Sequence, residues 1–169
     1  MQRRAWLVAA PAVVMAGCGS APVQGFASVA DAAKAIEGLK AGWRSKGAFT
    51  LAQMLNHAAQ SIEFSLAGFP RMKSAAFRHT VGAAAFAVFD ARGAMTHGLD
   101  EPIPGAPALA ADLPLEGAIT RALKALTDFE QHTGRLHPHF AYGELDKVQY
   151  TRAHLMHLAN HWTELEKTT

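Results

Sequence analysis

The chain has 169 residues, half of them apolar, with 16 Lys+Arg against 14 Asp+Glu and a single cysteine. That is the size of one domain with a sizeable core, and the near-balance of charge excludes the basic face by which a protein holds nucleic acid. One cysteine excludes a disulfide framework.

At the N-terminus, Arg3 and Arg4 precede an apolar run from Ala5 to Met15, which leads to Ala16-Gly17-Cys18. A basic start, an apolar stretch shorter than the roughly 20 residues of a membrane span and small residues before a cut site predict a signal peptide over residues 1–17. Met15-Ala16-Gly17-Cys18 resembles a bacterial lipobox, in which the cysteine is lipidated, and Gln2-Arg3-Arg4-Ala5-Trp6-Leu7 resembles a twin-arginine export signal. The simpler alternative is an ordinary cleaved secretory signal. On the lipobox reading residues 18–28 are a tether, residues 29–169 are the domain, and the chain meets the membrane through the lipid on Cys18. Gly19 is not an inner-membrane retention residue, so the expected place is the periplasmic face of the envelope, with the outer membrane favoured. Lipidation also removes the one thiol, and with it any cysteine nucleophile or cysteine metal ligand.

Along the domain, alanine-rich Val29 to Leu39 predicts a short first helix. Thr50, with Gln53 three residues on, is a capping-box start. Leu51, Met54, Leu55, Ala58, Ile62 and Leu66 then recur at helical spacing up to Gly68-Phe69-Pro70. Residues 74–91 predict a third helix closed by Gly93; Val81 to Phe89 is the one stretch where a strand could hide, and its length and alanine content favour helix. Four prolines between Met95 and Pro114 predict a long irregular loop, and such loops tend to be functional or disordered. Leu115 to Glu130 predicts a fourth helix, and about Asp146 to Glu166 a last one. The expected fold is therefore all-α, an up-down four-helix bundle with a short extra N-terminal helix.

On the last helix Tyr150, His154, His157, Leu158, His161 and Leu165 fall within an arc of about 80°. Histidines thus occupy an inward stripe, where an imidazole needs a partner. His157 and His161, at i and i+4, can point two rings at one divalent ion, and His57 from the facing helix can supply a third nitrogen. Three nitrogens with an open position describe a catalytic-type metal site. Read alone, His57 is a border residue of its helix. His154 reads as a ligand or, better, as a core or supporting residue; Glu63 as a base, an orienting group or a surface carboxylate; His137 and His139 as substrate contacts or plain loop residues.

The segment from Thr50 to Glu63, Thr50-Leu51-Ala52-Gln53-Met54-Leu55-Asn56-His57-Ala58-Ala59-Gln60-Ser61-Ile62-Glu63, followed by Gly68-Phe69-Pro70, resembles the first metal helix of DinB-like (YfiT-type) proteins. His137-Pro138-His139-Phe140-Ala141-Tyr142-Gly143, then His157-x-x-x-His161, resembles the closing segment of an uncharacterised DinB-like subfamily, in which an HPFFG-like stretch precedes an HxxxH helix. The resemblance covers most of residues 45–165. It implies a four-helix bundle with a histidine-only metal triad, His57, His157 and His161, holding zinc, nickel or iron; manganese is a further candidate for the ion. It also implies a homodimer as the candidate assembly. The chain departs from that pattern in its longer insertion around Pro102 to Pro107 and in its export signal, which removes it from the cytoplasm where small-thiol cofactors are found.

Two functions of different class follow. The first is a metal-dependent hydrolase or transferase acting on a small-molecule ligand, with Glu63, His139 and His154 as candidates for acid, base or support and Phe140 and Tyr142 as pocket walls. The second is a non-catalytic envelope protein that binds metal or a small ligand. A bundle without metal, its histidines satisfied by hydrogen bonds, is the third expectation.

Overall fold

The computed structural model describes residues 20–40, 42–110 and 112–168; the signal segment and the first two tether residues, Cys18 and Gly19, lie outside that set. Helix α1 (Val29–Glu37) starts where the Ser28 hydroxyl accepts the Asp31 amide N–H, and it buries Val29, Ala32 and Ile36. The short extra helix is thus a core element, continued by a 3₁₀ turn, Gly38–Lys40, that buries Leu39. Strand β1 (Trp43–Ser45) follows.

Helix α2 (Leu51–Ala67) carries the expected capping box with both of its bonds: the Gln53 N–H donates to Thr50 Oγ1 at 3.2 Å, and the Thr50 N–H donates to Gln53 Oε1 at 2.9 Å. Those two bonds satisfy donors that a helix start otherwise leaves orphaned. Gly68 ends the helix at φ +99°, a conformation that costs any residue with a Cβ.

The third helix, α3, runs on through Ala75–Phe77, a π-turn at Arg78–Gly82 and Ala83–Arg92, and closes at Gly93. Val81 to Phe89 is helical, as its composition favoured. Yet α3 buries only Gly82 and Phe86, so it lies on the margin of the core rather than inside it. Glycine is required at position 82, because a Cβ there would come within 1.8 Å of the Ala141 carbonyl oxygen.

Residues 94–110 form the expected proline-rich loop. It is pinned across α2 by the Gln53 and Gln60 amides, which donate to the Leu109 and Pro107 carbonyls at 3.1 and 3.0 Å. Helix α4 (Leu115–Gln131) lies along α2 and buries Ala118, Ile119, Ala122, Ala125, Leu126 and Phe129. Helix α5 (Lys147–Trp162) opens with a second capping box, Asp146 with Gln149.

The sequence pattern predicts this last helix to about Glu166 and no strand, and here the structure differs. The helix closes at Thr163, and Leu165–Lys167 form β2, antiparallel to β1 with Trp43 opposite Lys167 and Ser45 opposite Leu165. A three-residue strand is too short to show alternation, and its ladder partner lies more than a hundred residues away, so no local signal announces it. The described residues are therefore mostly helical with a small two-stranded sheet. The core sits among α1, α2, α4 and α5.

Candidate metal centre

His57 arrives on α2, and His157 and His161 on α5. All three are buried, at 4, 9 and 0% exposure. His57 is no border residue, because the pinned proline-rich loop covers the side of α2 that the sequence pattern left open. One nitrogen from each of the three rings lies within 4.8 Å of the other two, and His157 Nε2 stands 3.1 Å from His161 Nε2. The ring centroids are 5.0 Å apart for His57–His157, 5.2 Å for His57–His161 and 4.9 Å for His157–His161.

This spacing fits one ion. Metal–nitrogen bonds of about 2.0–2.1 Å in tetrahedral directions put two ligand nitrogens about 3.3 Å apart and two ring centroids about 5.2 Å apart. Burial pushes the His57 pKa down to about 4, with the neighbouring His97 adding to the shift. Burial likewise pushes His161 down to about 3, and His157 lies well below its ordinary value for the same cause, reinforced by its histidine neighbours. The rings are thus neutral at pH 7, the form a metal requires. His57 Nδ1 and His161 Nδ1 are buried without a hydrogen-bond partner among the described residues. Phe49, just ahead of α2, covers the cluster at 5.4 Å from His57 and 6.4 Å from His161.

A cavity of about 330 Å³ opens beside His57 and His157, walled by Phe77, Phe140 and Tyr142, with Lys73 and Glu101 also in its lining. His139 and His154 line it too. His139 is held by its own turn: the amide N–H groups of Ala141 and Tyr142 both donate to its Nδ1, at 3.2 and 3.1 Å. That nitrogen therefore carries the lone pair, and the proton of the neutral ring sits on Nε2. Tyr142 stacks on the same ring at 4.3 Å. Burial pushes His139 down to about 3. His154 packs edge-on against Phe129 at 4.9 Å, and its Nε2 lies 3.4 Å from the Ser65 hydroxyl.

Two other expected residues lie elsewhere. Glu63 faces α4, where both carboxylate oxygens accept from the Arg121 guanidinium at 2.9 and 2.6 Å; it does not line the cavity. The Arg121 fork reaches Asn56 as well. His137 is exposed and offers its backbone carbonyl to the Tyr150 hydroxyl at 2.7 Å.

One histidine of the site escaped the sequence reading. His97, on the proline-rich loop, stands 5.1 Å from His157 by ring centroid. It belongs to no periodic pattern; the only signal was a histidine inside a long loop of the kind that carries function.

The family described as protein of unknown function (DUF1569) matches residues 24–168. No curated protein and no solved structure matches the chain.

Proposed function

The chain belongs to the DUF1569 family, whose function is unknown, and we propose that it is a metal-dependent enzyme, a hydrolase or transferase, acting on a small molecule held above a three-histidine site. The observation that carries this reading is the convergence of three buried, neutral imidazoles at ligand spacing beside a cavity that can take a substrate. His57, His157 and His161 would hold zinc, nickel, iron or manganese. A divalent ion there supplies Lewis-acid polarisation of a substrate carbonyl, or activation of water at neutral pH.

The chain's own residues set the rest. His139, fixed with its proton on Nε2, is a hydrogen-bond donor rather than a general base. Phe77, Phe140 and Tyr142 exclude water from the apolar side of the cavity, and Lys73 offers a cation to an anionic group of the substrate. His154 supports the cluster from within the core. Glu63 is engaged by Arg121, which argues against it as the base.

The order of the helices and of their histidines supports a DinB-like relationship and a four-helix bundle in which α1 completes the core. The lipobox ending at Cys18 supports a lipid-anchored protein on the periplasmic face, at the outer membrane, and the resemblance supports a homodimer. The alternative function, a non-catalytic metal- or ligand-binding envelope protein, is favoured by one observation: His139 has its Nδ1 already bonded, so it offers no lone pair to act as a base.

Elemental mass spectrometry on the full chain, purified without a nickel column, tests the reading beside a His157→Ala variant. One equivalent of metal in the wild type and none in the variant is the expected result. No metal in either, with equal melting temperatures, would overturn it.

A further inference from the structure

His97 stands next to the three-histidine cluster on a different kind of element. Its ring lies 5.1 Å from His157, the same spacing as the three rings keep among themselves, and 6.3 Å from His161, about 1 Å more than tetrahedral ligation requires. Its Nδ1 lies 2.7 Å from the Gly98 carbonyl oxygen. A carbonyl only accepts, so Nδ1 carries the proton and Nε2 presents a lone pair. This is how metal-ligating histidines are usually oriented, one nitrogen donating to a carbonyl and the other on the ion.

The ring sits on an exposed span of the loop. Met95 and Ile103 are buried, at 5% each, and flank that span. Between them His97 and Gly98 are exposed, and both line the cavity. One tie crosses to α5, where the Asn160 amide donates to the His97 carbonyl at 3.4 Å. A short exposed span between two fixed points allows a shift of about an ångström without disturbing the core.

We propose that His97 is a fourth, loop-borne metal ligand, a removable cap over the position that His57, His157 and His161 leave open. The proposal rests on the metal site of the preceding section. Capped, the ion has four nitrogens and is shielded; uncapped, it faces the cavity. The loop would thus couple entry of a ligand to exposure of the ion.

Cobalt(II) titration of the full chain, followed by visible absorbance, tests this in the wild type, His97→Ala and His157→Ala. His97 is exposed, so its replacement leaves the fold intact. Wild type and His97→Ala should each take up one equivalent, the variant about tenfold more weakly or worse, and His157→Ala should take up none. Added imidazole should alter the spectrum of His97→Ala at concentrations about tenfold below those the wild type needs, because the variant's open position accepts it. Equal affinities, spectra and imidazole responses in wild type and His97→Ala overturn the cap and leave the three-histidine site standing. A wild type that takes up no cobalt overturns both.

Discussion

A buried imidazole answers to its surroundings in two ways, by the partner it finds and by the proton it refuses. His139 and His154 show the second. Burial holds both pKa values near 3 against an ordinary 6.5. An unfolded chain takes up protons at these rings as the pH falls through 6.5, while the folded chain does not until about 3. Stability is therefore complete above pH 6.5 and is lost as the pH drops toward 3, by up to about 1.4 kcal/mol per pH unit for each ring. Denaturant titrations at pH 7, 5.5 and 4.5 check this, and a flat profile would contradict it. At this scale the sequence was informative where spacing forces proximity. His157 and His161 share a face because four residues make one turn, and His57 joins them because α2 packs on the same core. Glu63 was ambiguous because periodicity places a carboxylate on a face without naming its partner, and Arg121 sits on another helix. His97 was silent because an exposed loop residue has no period at all.

Between elements, the contacts that shape the site are made by backbone as much as by side chains. The π-turn of α3 brings Gly82 against the Ala141 carbonyl, within the turn that fixes His139. Gly82→Ala should cost roughly 1–3 kcal/mol by overpacking and should disturb the cavity wall at Tyr142; a lower melting temperature with altered tyrosine fluorescence is the expected outcome. The pair joining α2 to α4 should behave differently. Glu63→Gln weakens a bond whose two side chains are 38–39% exposed, so screening limits its cost to about 1 kcal/mol or less. Its metal content should equal that of the wild type; loss of metal in that variant would show that Glu63 does reach the site. The capping box of α2 was legible because four consecutive residues make it. The β1–β2 pair was not, because each strand exists only through the other, and the end of α5 was misjudged for the same reason.

Taken as a whole, the chain draws its three central histidines from positions far apart in sequence, His57 on one side and His157 and His161 on the other. A bound ion stabilises the fold by mass action, by about 2.7 kcal/mol at a hundredfold excess over Kd, which for a domain of this size is a rise in Tm of about 5–10 °C. Thermal unfolding with and without a chelator measures it, and identical curves would mean that the folded chain binds no metal more tightly than the unfolded one. The described domain contains no cysteine, so it cannot staple distant segments with sulfur. An ion shared by α2 and α5 would close a loop of about a hundred residues, a constraint that in the chain-entropy account of a cystine is worth about 4.7 kcal/mol. Such a staple needs no oxidant, forms only once the two helices have met, and is undone by a chelator rather than by a reductant.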